Sequence, residues 1–302
     1  MCTAITYRGD DLYFGRNLDF ENSFGEKIVI TARNFPFSLR QAPPLNNHYS
    51  IIGTGIVANN FPLYFDGANE HGLCMAGLLF KNCAVYHPYK PGYHNIASFE
   101  LIPWILSSCR TLKEAEELLK NCNITNENFS EEYPNTPLHW IVSDKTGSLV
   151  AESTKNGLSL YKNDTGVLTN SPEFPEQTEN LRAFEDCSFC SLPGDSSSFS
   201  RFVRAFFAVK NSVSGKSEQE SVSHFFHMLE SVYRIQGCTR KDENASVRTH
   251  YSSCINADKG IYYYTTYNNF GLNAVCLGDH DIECDVVYTF PMVKDWRVNF
   301  QR

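Results

Sequence analysis

The first residues of the chain, MCTAITYRGDDLYFGRNLDFE (residues 1–21), predict a β-hairpin. Strand-forming residues lie on both sides of the turn-forming segment Arg8–Asp11. A hairpin returns the chain to the point where it began, so Cys2 should lie beside Arg16 and Asp19. A thiol, a cation and an anion are therefore expected to meet at one end of the first sheet.

The segments after the hairpin alternate between groups of strands and groups of helices. Strands at 27–32 and 51–57 are expected to extend the sheet of the hairpin. Thr111 and Glu114 form a capping-box pattern at the start of an amphipathic helix. The other expected elements are helices at 98–109, 202–209 and 222–235, a strand meander at 138–143, 149–153 and 158–161, and closing strands at 252–256, 260–267 and 272–277. This order predicts an α+β fold, a four-layer αββα sandwich of two antiparallel sheets with the helices outside, and excludes a doubly wound α/β fold.

The composition indicates a single domain that spans residues 1–302. Hydrophobic residues make up 42% of the chain and aromatic residues 14%, which is enough for a sizeable core. The net charge of −8 is spread along the sequence, so nucleic acid and anionic membranes are not expected as partners. No apolar run approaches the roughly 20 residues of a transmembrane helix, and no export signal is recognisable, so we expect a cytoplasmic protein.

We expect neither a disulfide framework nor a metal site. The eleven cysteines are odd in number and no export signal accompanies them, so most should be reduced core residues. Cys187 and Cys190 form a single CxxC without a second pair, and His224 and His227 lack an accompanying glutamate motif. The sequence contains no phosphate-binding or dinucleotide-binding glycine motif, so no cofactor is predicted.

Cys2 follows the initiator methionine, which is commonly removed when the next residue is small. Removal of Met1 would give Cys2 a free α-amine, whose pKa of roughly 7.7 to 8.0 lets it accept the thiol proton at neutral pH. One residue would then supply both nucleophile and base, with Arg16 favouring the thiolate and Asp19 orienting the α-ammonium. The alternatives are a cysteine that occurs at position 2 by chance and an ordinary surface ion pair at a strand end.

Several segments together resemble one protein family. Besides MCTAITY and FGRNLDFE, they are Asp66–Glu70, Pro137–Trp140, Gly166–Pro172, Leu192–Asp195, Ser200–Phe202 and Lys259–Tyr264. This pattern resembles the choloylglycine hydrolase family of N-terminal nucleophile hydrolases, which includes bile salt hydrolases and penicillin V acylases. The resemblance runs through nearly the whole chain, is closest to the bile salt hydrolases of Gram-positive gut bacteria, and implies the N-terminal nucleophile hydrolase fold.

The resemblance also implies a catalytic group of residues. Cys2 would attack an amide and become a thioester, with its own amine as base and Arg16 and Asp19 as the flanking polar pair. Asn170 would donate its side-chain amide to the oxyanion, and Arg201 would complete the polar cluster. Without the family, Asn170 would be interpreted as a turn residue and Arg201 as a surface charge at a helix N-terminus.

Two features depart from the family pattern. The stretch between Asn170 and Arg201 is short, with Cys187–Cys190 in place of a glycine-rich segment before Leu192–Asp195, and this puts selectivity and assembly in question. The other departure is a single position. After Ala76-Gly77-Leu78, bile salt hydrolases usually carry asparagine and penicillin V acylases tyrosine, whereas this chain carries Leu79. A leucine side chain cannot donate a hydrogen bond. The backbone N–H of Leu79 is therefore the expected second donor to the oxyanion.

The substrate that the family implies is a conjugated bile salt, a rigid apolar steroid joined by an amide to glycine or taurine. Such a substrate needs an apolar trough beside the nucleophile. The apolar residues at matching positions are Leu18, Phe65, Phe129, Tyr133 and Leu138. The family also implies a homo-oligomer, a tetramer. The alternatives are an acylase for penicillin V or other N-acyl amides, and a protein that binds bile acids or another amphiphile without cleaving them.

Overall fold

The structure of the chain is a computed structural model, and it describes residues 1–184, 191–238 and 246–301. Cys187 and Cys190 lie outside these ranges. The strands are β1 Cys2–Arg8, β2 Leu12–Phe20, β3 Lys27–Thr31, β4 Ile51–Ala58, β5 Phe61–Asn69, β6 Cys74–Leu79, β7 His94–Ala97, β8 Cys122–Thr125, β9 Leu138–Asp144, β10 Gly147–Thr154, β11 Gly157–Lys162, β12 Val167–Leu168, β13 Arg248–Asn256, β14 Ile261–Thr266, β15 Asn269–Cys276 and β16 Val287–Pro291. The helices are α1 Leu101–Ser108, α2 Leu112–Lys120, α3 Phe174–Arg182, α4 Ser198–Asn211 and α5 Glu218–Glu230.

Most of the strands form two antiparallel sheets. One sheet has the order β12-β1-β2-β13-β14-β15, and the other has the order β11-β10-β9-β6-β5-β4-β3-β16. A parallel pair of β7 and β8 stands apart from both. The predicted hairpin is confirmed as β1 and β2, in which Cys2 pairs with Leu18 and Ala4 pairs with Arg16.

The expectation that the strands at 27–32 and 51–57 extend the sheet of the hairpin is wrong. They are β3 and β4, and they lie in the eight-stranded sheet. The second edge of β2 is paired with β13, where Ser252 lies opposite Asn17. Strand propensity is local, so it carries no information about which distant strand pairs with a given edge.

Alternating side chains of the eight-stranded sheet enter two separate cores. In β3, Ile28 and Ile30 join the core that also contains the hairpin, whereas Val29 joins the core that contains α1 and α2. In β9, Ile141 belongs to the first core and Trp140 to the second. Successive strand residues point to opposite faces, so this sheet is buried on both faces and lies in the middle of the molecule.

The helices cover the two outer faces. α1 packs on β5 and α2 on β9 to β11, whereas α4 and α5 pack on the six-stranded sheet. The predicted αββα sandwich of two antiparallel sheets is therefore confirmed. The predicted cap is also present, because the Thr111 side chain accepts from the Glu114 N–H. In the described residues, no helix is long and apolar enough to cross a membrane.

Candidate active site

Cys2 is the first residue of β1 and is only 3% exposed. Its backbone N–H donates to Asn170 Oδ1 at 2.7 Å, and its carbonyl accepts from Arg201. Arg16 lies two positions from Leu18, the hairpin partner of Cys2. Side chains two positions apart on a strand share a face, so the structure brings Cys2 and Arg16 together as the hairpin predicts.

A glycine next to Arg16 allows the sheet to close around this position. A β-carbon at Gly15 would lie 1.9 Å from the carbonyl oxygen of Ser253 on β13. Only a residue without a side chain permits this approach between β2 and β13. The Arg16 N–H then donates to Ser253 Oγ at 3.2 Å, which fixes the backbone from which the guanidinium extends.

The Arg16 side chain is buried and spans the gap between the two sheets. Its Nη1 donates to the carbonyl of Gly77 at 2.7 Å and to that of Phe65 at 3.0 Å. Burial alone would lower the pKa of Arg16, but the charges of Cys2 and Asp66 and a side-chain hydrogen bond to Cys2 raise it overall. Arg16 is therefore a permanent cation beside the thiol.

Asn170 is held in one orientation by two donors. Its Oδ1 accepts from the Cys2 N–H and from Arg201 Nη2, both at 2.7 Å. Arginine only donates, so the oxygen of the amide must face Arg201 and the nitrogen must face the other way. That nitrogen donates to the Leu79 carbonyl at 2.8 Å, which leaves its second hydrogen for another acceptor.

Arg201 connects Asn170 to the first strand. Besides Asn170 Oδ1, it donates to the Cys2 carbonyl and to Thr3 Oγ1. Burial lowers the pKa of Arg201 to about 10, and the charge of Asp19 opposes this shift. Arg201 remains charged at neutral pH. It is buried, and not the surface charge that its sequence position alone would suggest.

The carboxylate of Asp19 has other partners than the sequence predicts. It accepts from Thr249 Oγ1 at 2.7 Å and lies 3.3 Å from Arg234 Nε, whereas the Cys2 N–H donates to Asn170. The backbone of Asp19, and not its carboxylate, meets the N-terminus, because its N–H donates to the Met1 carbonyl at 2.9 Å. While Met1 is present, Asp19 therefore does not orient the Cys2 nitrogen directly.

A cavity of about 350 Å³ opens beside Cys2 and Arg16. It is lined by the side chains expected to contact substrate, Leu18, Phe65, Phe129, Tyr133 and Leu138. Leu79 also lines it. So do Phe24, Phe99 and Ile102, which no sequence pattern marks as site residues. The lining is mostly apolar, with Arg16 and Glu132 as its charged members, so the cavity suits an apolar guest with a reactive group at the cysteine end.

No group of three or more potential metal ligands was found among the described residues. The nine cysteines in those residues are free thiols, and five of them are buried. The groups that the structure places around Cys2 are the Asn170 amide, backbone groups and the buried arginines Arg16 and Arg201.

A sequence model of linear amide C–N hydrolases, choloylglycine hydrolase family, matches residues 2–290. The chain belongs to the choloylglycine hydrolase family. The match begins at the cysteine on which the site is centred and includes the strands and helices that hold it.

Curated members of the family align over almost their full lengths. The chain is 42% identical to a bile salt hydrolase/transferase of Lactiplantibacillus plantarum, over 97% of each chain. It is 34% identical to a bile salt hydrolase/transferase of Clostridium perfringens, over 99% of each chain. The similarity to these relatives therefore extends over almost the whole chain and is not confined to a single motif.

Two solved structures have the same fold as this chain. A C2A mutant of the conjugated bile acid hydrolase from Clostridium perfringens superposes with a TM-score of 0.93 at 33% identity, covering all of both chains. A penicillin V acylase from Agrobacterium tumefaciens superposes with a TM-score of 0.83 at 20% identity, covering 96% of this chain and 91% of that one. The second likeness concerns the fold alone.

His139 and Glu152 form a buried pair next to the segment that carries Asn170, and the sequence does not predict it. His139 donates through Nε2 to the Thr169 carbonyl at 3.0 Å, and its Nδ1 lies 2.9 Å from Glu152 Oε1. Phe80 stacks on the His139 ring with 4.3 Å between ring centroids. A histidine and a glutamate on neighbouring apolar strands are a possible signal for such a pair, because buried polar groups need partners.

Proposed function

We propose that this protein hydrolyses the amide bond between a bile acid and glycine or taurine, with Cys2 as the nucleophile after removal of Met1. The observation that carries this proposal is the apolar cavity that ends at Cys2 and the buried Arg16. Its lining of leucine and aromatic side chains suits the steroid of a bile salt. The names of the curated relatives support the same substrate class.

In the first step, the Cys2 thiol gives its proton to its own α-amine, and the sulfur attacks the amide carbonyl carbon and forms a carbon–sulfur bond. The carbonyl oxygen becomes an oxyanion, for which the Asn170 side-chain amide and the Leu79 backbone N–H are the proposed donors. The carbon–nitrogen bond then breaks, and the departing nitrogen takes a proton from the α-ammonium of Cys2. The products of this step are a thioester and free glycine or taurine.

In the second step, a water molecule attacks the thioester carbonyl and gives its proton to the α-amine. The carbon–sulfur bond breaks, the bile acid leaves, and the cysteine is regenerated. Arg16 stabilises negative charge on the sulfur at both stages, because it is a buried cation beside Cys2. We further propose that residues 1–302 act as one catalytic domain, without a cofactor, in a cytoplasmic homotetramer.

The first test is the intact mass of the purified protein, followed by incubation with glycocholate and taurocholate. We expect the mass of a chain without Met1 and the release of free glycine, taurine and cholate. Cys2→Ala should abolish release, whereas Cys238→Ala, which alters an exposed thiol, should not change it.

Penicillin V in a parallel reaction separates the alternatives. Cleavage of penicillin V without cleavage of either bile salt would replace the proposed substrate with another N-acyl amide. Binding of cholate without cleavage of any amide would make the protein a carrier. Retention of Met1 in an active enzyme would overturn the role of the α-amine.

A further inference from the structure

Asn170 lies just beyond the point where the sheet holds its segment. The two-residue strand β12 pairs with β1 through Ala4 and Leu168, and this pairing ends at Leu168. Two residues further on, the Asn170 N–H donates to Ser198 Oγ at 2.9 Å, and the Asn170 carbonyl accepts from the same hydroxyl at 3.0 Å. The backbone of Asn170 is therefore held by side chains and not by a strand ladder.

A second side chain holds the same segment, and it comes from α3. Gln177 Nε2 donates to the Asn170 carbonyl and, at 2.8 Å, to the Pro172 carbonyl. Gln177 Oε1 accepts from Thr169 Oγ1 at 2.6 Å. An amide nitrogen has two hydrogens, so both are used, and the amide oxygen is used as well. One side chain thus contacts three of the four residues from Thr169 to Pro172.

Gln177 is fully buried, and its helix fixes its position. Phe174 and Leu181 are buried with it on the inner face of α3. Burying an amide costs free energy unless its polar atoms have partners, and here each of them has one. An apolar side chain of the same length would fill the space without these partners, so the polar atoms of Gln177 serve the segment 169–172.

The position of the Asn170 backbone matters because its side-chain amide is the proposed donor to the oxyanion. The amide end is held by the Cys2 N–H, Arg201 and the Leu79 carbonyl. The backbone end is held by Gln177, which bonds the Asn170 carbonyl. A displacement of about 1 Å at a reacting centre can lower a rate by on the order of a hundredfold, so both ends need to be fixed.

We propose that Gln177 is a positioning residue of the reaction, which acts through Asn170 by holding its carbonyl. This inference rests on the proposed function and deepens it. Gln177 is not among the residues that line the cavity, so its effect must pass through another residue. Loss of the Gln177 amide should therefore weaken stabilisation of the oxyanion and leave binding of the bile salt unchanged.

The test is steady-state hydrolysis of glycocholate by Gln177→Met and Gln177→Glu. Methionine has about the length of glutamine and no donor, while Ser198 still bonds the Asn170 N–H and carbonyl. Gln177→Met should lower kcat about tenfold and leave KM within about threefold. Glutamate matches glutamine in size but has at most one hydrogen to donate, so it cannot bond both carbonyls, and kcat should fall again. Gln177→Glu carries the test if Gln177→Met does not fold.

A second substitution at Asn170 shows whether Gln177 acts through it. Asn170→Ala alone should lower kcat by on the order of a hundredfold, because the donor is lost. Adding Gln177→Met to Asn170→Ala should lower kcat by no more than about twofold further, since no side-chain amide is left to be positioned. The same fold-loss from Gln177→Met in both backgrounds would overturn the proposal.

Leu181→Val is the matched control for a general effect on α3. Leu181 is buried on the same face as Gln177, one turn further along the helix. Its truncation should lower the urea midpoint of unfolding, while kcat stays within about twofold of the original. An equal fall of kcat in Leu181→Val and Gln177→Met would assign the effect to the packing of α3 and overturn the positioning role.

The two proposals fail in different ways. If the unaltered protein releases no amino acid from glycocholate or taurocholate, the proposed function is wrong and the positioning role falls with it. If the unaltered protein is active and both Gln177 variants keep kcat within about twofold of the original, only the positioning role is wrong.

Discussion

At the scale of single residues, the orientation of Asn170 is the feature most directly connected to the proposed reaction. Oδ1 accepts from Cys2 and Arg201, and Nδ2 donates to the Leu79 carbonyl, so only one hydrogen of the amide remains for an oxyanion. Asn170→Asp keeps an oxygen for Cys2 and Arg201 but removes that donor. We expect kcat to fall by on the order of a hundredfold or more, with KM little changed.

The measurement is steady-state hydrolysis of glycocholate, together with alkylation of Cys2 by iodoacetamide in the same variant. Continued alkylation would indicate that the nucleophile is intact while the oxyanion loses its donor. A kcat within about threefold of the original would contradict the role of Asn170.

Asp66 gives a prediction about stability and pH. Both of its oxygens accept a tyrosine hydroxyl, from Tyr251 and Tyr262. Burial raises the pKa of Asp66, and the Arg16 charge and the tyrosine hydrogen bonds only partly offset the increase. The folded carboxyl holds its proton more tightly than the unfolded one, whose pKa is about 3.9. The contribution of Asp66 to the free energy of unfolding is therefore full below about pH 4. It is lost as the pH rises through the raised pKa of the folded state.

Urea unfolding of the original protein and Asp66→Asn from about pH 4 to pH 8 tests this direction. The free energy of unfolding of the original, minus that of the variant, should decrease as pH rises. Asp195→Asn, measured from about pH 2 to pH 8, serves as the opposite case, because hydrogen bonds to the side chains of Ser197 and Ser200 lower the pKa of Asp195 to about 2. The Asp195 contribution should be present above about pH 4 and lost toward pH 2. A difference for Asp66→Asn that does not vary with pH would contradict the raised pKa.

Some residues of the site follow from sequence and others do not. Cys2 and Arg16 follow from hairpin geometry, because a two-stranded antiparallel register is a local property. Asn170 and Arg201 follow only from the family resemblance, since each reaches Cys2 from a distant part of the chain. No sequence pattern predicts that Arg234 lies near the site. It meets Asp19 because β2 pairs with β13, and sequence alone does not predict this long-range pairing.

At the scale of elements, the His139 and Glu152 pair joins β9 and β10 to the segment that carries Asn170. Glu152 also accepts from the Phe174 N–H at the start of α3. Glu152→Ala would leave the buried Phe174 N–H without an acceptor and His139 Nδ1 without its partner, and it should lower the free energy of unfolding by about 3 to 5 kcal/mol. It should also lower kcat, because the Thr169 carbonyl loses its anchored donor and Asn170 moves with it.

Glu152→Gln is the matched comparison, since its side-chain amide can still form hydrogen bonds with His139 and Phe174. Unfolding in urea and glycocholate kinetics should show a much smaller loss for Glu152→Gln than for Glu152→Ala. Equal effects of the two variants would mean that the charge of Glu152, and not its acceptor position, holds the segment.

The elements that the sequence predicts well are those with strong local signals. The meander at 138–161 is confirmed as β9, β10 and β11, because each turn carries its own turn residues. The helix predicted at 222–235 is α5, which ends at Glu230 and not at residue 235. The sequence analysis does not predict α3, β5 or β6. β5 and β6 are central strands buried on both faces, and such strands lack the alternation that marks a half-exposed strand.

At the scale of the whole molecule, the cavity lies where loops of the eight-stranded sheet meet the start of the hairpin. Phe129 packs against Phe61 and Phe99, and Arg40 lies over its ring. Phe129→Ala removes an aromatic wall of the cavity and should raise KM for bile salts about tenfold, with kcat nearly unchanged. Tyr89→Ala, which alters an exposed aromatic residue outside the cavity, should leave KM unchanged. An unchanged KM in Phe129→Ala would place the steroid elsewhere.

The outer surface near the C-terminus gives a prediction about assembly. Phe270 is 79% exposed on the edge strand β15, and Trp296 and Phe300 are 66% and 80% exposed in the segment after β16. An aromatic side chain buries roughly 150 to 250 Å² when covered, so covering several of them stabilises a contact between copies. We expect Trp296→Ser with Phe300→Ser to reduce the number of subunits measured by sedimentation equilibrium, whereas Tyr89→Ser should not. An unchanged mass in the double variant would mean that the proposed tetramer is held together at another surface.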